Sequence, residues 1–162
     1  MTANHHIVAF SGHRTYDNDA EELLRTTIHE LYAQGARTFR IGMAQGFDLA
    51  AGAVVLELME QHNDIVVEAC IPWPTFAESF PQKSRQLYDA IIERATIIRY
   101  AGNSYQPQVY HLRNTMLVEG TDVVVAWYDG SKGGTHNTIK MAKKRHCRII
   151  NLCPDLQLSM DL

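Results

Sequence analysis

Three short segments of the chain combine glycines with polar or charged side chains, a combination suited to holding a phosphate group. They are Ser-Gly-His-Arg at residues 11–14 (loop 1), Gly-Met-Ala-Gln-Gly-Phe-Asp at residues 42–48 (loop 2) and Asp-Gly-Ser-Lys-Gly-Gly-Thr at residues 129–135 (loop 3). Glycine lets a ligand approach the backbone closely. A helix that starts at such a turn presents unpaired N–H groups and the positive end of its dipole. The segments therefore predict an anion-binding site, provided that the fold brings them together.

Individual side chains in these loops have distinct expected roles. Ser11 can donate a hydrogen bond, and Arg14 can hold a phosphate with a bidentate guanidinium contact. Thr135 can cap the helix that follows it and donate its hydroxyl. Asp48 either binds a ribose hydroxyl, orients the loop, or interacts with the dipole of its own helix. His13 either contacts a ligand, titrates near neutrality, or is a polar loop histidine without a catalytic role.

The rest of the chain alternates short apolar runs with amphipathic segments, which predicts the elements that position these loops. Apolar residues at helical spacing and turn residues at the ends define the segments. Strands are predicted at 7–10, 38–41, 65–71, 96–100, 122–128 and 148–152, and helices at 19–34, 46–61, 81–94, 108–119 and 135–144. Such alternation indicates an α/β fold: a doubly wound, mainly parallel, Rossmann-like sheet with helices on both faces. The three loops would then follow strand carboxyl ends, where such sheets bind ligands.

Each loop also has a purely local interpretation, because strand-to-helix turns often need glycine. Neither Gly-rich loop matches G-x-x-x-x-G-K-[ST], and the first turn lacks G-x-G-x-x-G, so neither a P-loop nor an ordinary dinucleotide motif is indicated. It is the occurrence of three such loops in one chain that favours a site.

Composition excludes several other classes of function. The 162 residues fit one domain, spanning 1–162, with a formal net charge of −3, so broad nucleic-acid binding is not expected. Neither a signal peptide nor a membrane span is indicated, and membrane partners are not expected. The three cysteines lack metal or disulfide spacing and indicate a cytoplasmic protein. Neither a metal nor a required cofactor is predicted.

Aromatic residues cluster after the third predicted strand. Trp73 and Phe76 either form a pocket wall that stacks on a base or plug the core under a loop, and we favour the plug. Tyr105 and Tyr110 are further stacking candidates. Trp127, within an apolar strand, is predicted to belong to the core.

The order of these motifs resembles a known superfamily. Loop 2, followed by Ala50 and Gly52, resembles the G-x-A-x-G-[IVF]-D-x-x-A signature of DprA/Smf proteins. Arg113-Asn114, the strand at 122–128 and Gly-Gly-Thr at 133–135 resemble their R-N, strand and S-G-T order. Loop 1 is closer to the stand-alone YpsA-like branch. Over residues 7–152 the chain is thus similar to the SLOG superfamily (Smf/DprA and LOG).

This resemblance implies a Rossmann-like fold that binds a nucleotide or a nucleotide-derived ligand at the loops. It gives Arg113 a phosphate or ribose contact in place of an ordinary surface position, whereas Asn114 is expected to brace the loops through backbone hydrogen bonds. It also implies a possible homodimer through helix faces. The candidate ligand-binding residues are Ser11, Gly12, His13, Arg14, Gly42, Ala44, Gly46, Asp48, Arg113, Asn114, Asp129, Gly130, Gly133, Gly134 and Thr135.

Two alternative functions follow from branches of the superfamily. LOG members cleave the N-glycosidic bond of nucleoside monophosphates with an Arg, matched by Arg113, and a Glu, whose position here is Thr138. A hydroxyl supplies neither the charge nor the basicity for that reaction, so Asp48 or Glu119 would have to replace the Glu. DprA members bind single-stranded DNA. Binding of a small nucleotide-like molecule is the favoured interpretation.

Overall fold

The computed structural model describes residues 6–154, and the remaining residues of the predicted 1–162 domain lie outside that range. Six strands and five helices alternate in it, as the sequence pattern predicts. In chain order they are β1 (His6–Gly12), α1 (Glu21–Ala33), β2 (Ala36–Ile41), α2 (Phe47–Met59), β3 (Val66–Ile71), α3 (Gln82–Arg94), β4 (Ile97–Tyr100), α4 (Val109–Val118), β5 (Val123–Trp127), α5 (Gly134–Lys144) and β6 (Arg148–Asn151).

The strands form one parallel sheet in the order β4-β3-β2-β1-β5-β6. The chain builds outward from β1 to β4, returns through α4 across the sheet, and adds β5 and β6 on the other side of β1. The strand order therefore reverses between β1 and β5, the position where doubly wound sheets bind ligands.

Alternate residues of β1 pack into different layers, so helices cover both faces of the sheet. Val8 and Phe10 belong to the core cluster that includes Leu24 of α1 and Val55 of α2. Ala9 belongs to the opposite cluster, with Leu117 of α4 and Ala142 of α5. The predicted α/β, Rossmann-like architecture is confirmed, and the sheet is wholly parallel.

Some details of the elements differ from the sequence prediction. β1 extends through Ser11 and Gly12, which were expected to lie in the following turn. Helix α5 begins at Gly134 with Gly133 at its N-cap position, so Thr135 is its second residue and does not cap it. The side chain of Trp127 is buried against Tyr16, as expected for a core residue.

Among the described residues, no helix combines the length and apolar character needed to cross a bilayer. The same residues contain no group of three or more His, Cys, Asp or Glu side chains placed to hold a metal ion.

Candidate ligand site at the carboxyl edge of the sheet

The three loops meet at the carboxyl edge of the sheet. Loops 1 and 2 are joined by a hydrogen bond from the Phe47 N–H to the His13 carbonyl, of 3.4 Å. Loops 1 and 3 are joined by His13, whose Nε2 lies 2.8 Å from Asp129 Oδ1 and 3.4 Å from Ser131 Oγ. The convergence that the sequence predicts is therefore present in the fold.

Asp48 is the centre of the connection between loops 1 and 2. Its carboxylate is buried and accepts hydrogen bonds from the Gly12 N–H at 3.3 Å and the Ala44 N–H at 3.2 Å. Burial raises the pKa of Asp48 to about 6, although the charge of Arg113 and the two backbone donors act in the opposite direction. Asp48 thus holds the loops, and both its oxygens are already engaged by the backbone. These contacts agree with the interpretation that Asp48 orients the loop.

Arg113 and Asn114 connect α4 to loops 2 and 3. Arg113 is buried, and it donates from Nη1 to the Gly42 carbonyl and from Nε to Asn114 Oδ1 at 3.1 Å. Asn114 donates from Nδ2 to the Gly134 carbonyl at 3.5 Å. Burial lowers the pKa of Arg113, while Asp48 opposes that change. The structure gives Asn114 the bracing contacts expected of it, and it places Arg113 beneath the loops and away from the open surface.

Close packing fixes the glycines of loops 1 and 2. A Cβ at Gly12 would lie 2.4 Å from the Phe47 ring, and one at Gly42 would lie 2.6 Å from Asp48 Oδ2. Gly46 has a φ of +81°, and a Cβ there would lie 2.6 Å from the Arg14 carbonyl oxygen. These glycines let loops 1 and 2 pack closely.

Replacing Gly46 with Ala should lower the free energy of unfolding by about 2–3 kcal/mol, because the Cβ meets backbone in addition to adopting a left-handed φ. Gly120→Ala is the matched control, since Gly120 has a φ of +72° and a Cβ added there would meet nothing within 4 Å. It should cost about 1 kcal/mol. Urea denaturation measures both unfolding free energies. Equal losses in Gly46→Ala and Gly120→Ala would contradict the contact between loops 1 and 2.

Loop 3 differs from the other two loops because its glycines are open to solvent. A Cβ at Gly133 or Gly134 would meet nothing within 4 Å, and both residues are exposed. Within the described residues no side chain caps the start of α5. Lys132, on the same loop, is also exposed. Loop 3 therefore offers backbone N–H groups, a helix N-terminus and a cation to an incoming anion.

The remaining polar groups of loop 3 are engaged within the protein. Asp129 accepts hydrogen bonds from the Ser131 N–H at 3.0 Å and from Ser131 Oγ at 2.6 Å, in addition to its contact with His13. These hydrogen bonds hold the pKa of Asp129 below its ordinary value. Gly130 follows with a φ of +94°, and Thr135 is buried. Asp129, Gly130 and Thr135 thus shape loop 3, with Gly133 and Gly134 at its open surface.

Two expected ligand contacts in loop 1 are placed differently from the prediction. Ser11 is buried within β1. Arg14 is exposed and lines a cleft of about 320 Å³ between α1, α2 and α3, together with Gln45, Gly46 and Lys83. No residue of loop 3 lines this cleft. Arg14, expected to hold a phosphate, thus lines a cleft to which loop 3 contributes no residue.

The groups required for LOG-type hydrolysis are not assembled at these loops. The buried hydroxyl of Thr138 donates to the Gly134 carbonyl at 3.0 Å, inside its own helix. Glu119 follows the last residue of α4, near the amino edge of the sheet, where its carbonyl accepts a hydrogen bond from Arg40. Glu119 therefore cannot replace the missing Glu, and the carboxylate of Asp48 is engaged by backbone donors.

Sequence reasoning missed a group of charged residues around the buried Glu68, on the face covered by α4. Glu68 of β3 lies 2.8 Å from Arg99 and 3.4 Å from Arg40. Arg40 also donates to Thr121 Oγ1 at 2.9 Å and to the carbonyls of Met116 and Glu119 at the end of α4, where a cation interacts favourably with the helix dipole. The signal was a charged residue within each of two short strands predicted to be buried.

Comparisons with known proteins agree with this fold. A family model named YpsA and described as the YspA SLOG family matches residues 6–151. UPF0398 proteins of Bacillus thuringiensis (strain Al Hakam) and Bacillus cereus (strain Q1) are 23% identical over 158 residues, covering 90% of this chain and 86% of each relative.

Two solved structures of DNA processing protein A (DprA) have a similar fold. The Streptococcus pneumoniae protein has a TM-score of 0.68 at 18% identity, covering 89% of this chain and 49% of its own. The Helicobacter pylori protein, whose structure concerns a single-stranded DNA binding mode, has a TM-score of 0.69 at 18% identity, covering 97% of this chain and 67% of its own. This chain thus spans about half the length of the first DprA and about two thirds of the second. The family match over nearly all of the described residues shows that the chain belongs to the YpsA family of SLOG proteins.

Proposed function

We propose that the protein binds a nucleotide or nucleotide-derived ligand, such as ADP-ribose, NAD or a nucleoside phosphate, with a phosphate group on loop 3. The observation that carries the proposal is the open start of α5 at Gly133 and Gly134, at the edge where loops 1 and 2 also end. A phosphate there would accept hydrogen bonds from the first N–H groups of α5 and lie at the positive end of its dipole.

The surrounding residues support the proposal by fixing the shape of this edge. Asp48 ties loop 2 to loop 1, His13 ties loop 1 to loop 3, and Asn114 ties α4 to the start of α5. A site held in this way needs little ordering when the ligand binds, which favours affinity. Membership of the SLOG family agrees with a nucleotide-like ligand.

Thermal shift measurements against AMP, ADP-ribose, NAD and cyclic nucleotides test the proposal. We expect at least one to raise the melting temperature, because a ligand at 100 times its Kd stabilises the folded state by ~2.7 kcal/mol. For a domain of this size, ~2.7 kcal/mol corresponds to a rise of roughly 5–10 °C. No shift with any of them at millimolar concentration would contradict binding of a small nucleotide.

Single-stranded DNA is a second candidate, favoured by the likeness to the H. pylori DprA. The net charge of −3 argues against it, but a short oligonucleotide needs only a local anion site. Such binding should weaken steeply as salt increases. Failure to retard a labelled oligonucleotide at low salt would exclude this candidate.

A further inference from the structure

Aromatic rings gather beside loop 2 at the same edge of the sheet. Trp73, just after β3, lies 5.2 Å from Phe76, 5.8 Å from Tyr105 and 5.8 Å from Tyr110, measured between ring centroids. Tyr105 and Tyr110 are 6.4 Å apart. These four residues, here called the aromatic cluster, come from the loop after β3, the loop after β4 and the first turn of α4.

The aromatic cluster has an anchored side and an exposed side. Phe76 packs against Phe80, which in turn packs against the buried Tyr88 of α3. In contrast, Tyr105 is 61% exposed and Tyr110 is 40% exposed. The two exposed tyrosines therefore rest on packed aromatic side chains and present apolar surface to water. Such a surface is typical of a recognition site.

Arg113 joins the aromatic cluster to the loops. Its guanidinium carbon lies 6.0 Å from the Tyr110 ring centroid, and its Nη1 donates to the Gly42 carbonyl at the start of loop 2. The cluster thus borders the site described above. Tyr110 also lies one turn before Asn114 on α4, and Asn114 donates to the Gly134 carbonyl of loop 3 at 3.5 Å.

We propose that Tyr105 and Tyr110 stack on a nucleobase of the ligand whose phosphate lies on loop 3. This inference rests on the proposed function and extends it to the base. Such a ligand carries both a base and a phosphate group, as a nucleotide, a dinucleotide and a short single-stranded oligonucleotide do. Stacking on aromatic side chains tolerates any base, because every base has a π-face.

Matched pairs of probes separate the contact with the base from the contact with the phosphate. One pair is oligothymidylate and an abasic oligomer of equal length, and the other is ADP-ribose and pyrophosphate. We expect the base-bearing member of at least one pair to bind wild-type protein about 10-fold more tightly. The pair that shows the preference identifies the source of the base.

The double variant Tyr105→Ala/Tyr110→Ala should lose this preference and keep its affinity for the base-free probes. Tyr105→Phe/Tyr110→Phe should retain it, because the rings remain. Leu23→Ala is the control, because it truncates a 51% exposed apolar side chain on α1. It should change the affinity neither for the base-bearing probes nor for the base-free probes.

The outcomes separate this inference from the proposed function. Equal wild-type affinity for both members of each pair, or a preference that survives in the alanine double variant, would overturn stacking while leaving the phosphate site intact. If the alanine variant weakens all probes equally and melts at a lower temperature, the tyrosines are structural and the inference is also overturned. No binding of any probe to the wild type would overturn both proposals.

Discussion

Asp48→Ala is expected to lower the free energy of unfolding by about 3–5 kcal/mol. The substitution leaves the N–H groups of Gly12 and Ala44 without their acceptor and removes the buried negative charge nearest to Arg113. Losing one partner of a buried charged group costs this much because the other charge stays buried without compensation. Chemical denaturation at neutral pH measures the effect.

Asp89→Ala is the control for this substitution, since Asp89 is an exposed carboxylate that pairs with Arg85 along α3. That change should cost less than about 1 kcal/mol. A similar loss for Asp48→Ala and Asp89→Ala would show that Asp48 does not brace the loops.

The pH dependence provides a second signature of the same carboxylate. The pKa of Asp48 in the folded protein is raised to about 6, so the folded state holds this proton more tightly than the unfolded chain. The contribution of Asp48 to stability is therefore largest below pH 4 and falls as the pH rises to about 6. The difference in unfolding free energy between wild type and Asp48→Ala should be smaller at pH 7 than at pH 5. A difference that grows between these values would contradict the raised pKa.

Gly134→Asp is expected to weaken phosphate-ligand binding by about 100-fold, equivalent to ~2.7 kcal/mol. Its carboxylate would repel an anion from the start of α5 while occupying open space, since a Cβ at Gly134 meets nothing within 4 Å. An acidic residue in the first turn of a helix stabilises the fold. The variant should therefore melt at or slightly above the wild-type temperature while losing its ligand. Calorimetric titration with the ligand found by the thermal shift measurements gives the affinity.

Gly134→Ala adds a side chain at the same place without the charge. We expect its affinity to stay within about threefold of wild type, because one methyl group in open space removes no backbone donor. Unchanged affinity in Gly134→Asp would show that the phosphate of the ligand does not bind at loop 3.

Much of the fold could be predicted because its local signals agree with one another. The six strands and five helices follow from apolar runs, helical periodicity and glycine or proline stops. Parallel packing follows from their alternation. The meeting of loops 1, 2 and 3 also follows, since they succeed strands that end at one edge.

The directions of the side chains could not be predicted in the same way. Arg113 and Arg14 are both arginines near glycine loops, yet one is buried beneath loop 2 and the other lines the cleft beside α1. Their difference depends on which neighbouring element covers each side chain, and sequence spacing does not specify this. For the same reason, the partly buried Arg40 and the buried Glu68 were not predicted.

The resemblance to SLOG proteins and the order of the strands both predict a site at this edge of the sheet, and the structure shows what the predicted residues contact there. The sequence pattern made Asp48 a candidate for ligand contact or for orienting the loop, and the resemblance made Arg113 a candidate for ligand contact. Their hydrogen bonds make them the internal support of the loops. Residues that position a binding surface and residues that touch the ligand can thus share one motif.

A crystal structure with ADP-ribose or a short oligonucleotide bound tests the central claim most directly. We expect a phosphate group of the bound ligand to lie within hydrogen-bond distance of the backbone N–H groups of Gly134 and Thr135. A phosphate bound instead beside Arg14 and Lys83, in the cleft between α1 and α3, would contradict it.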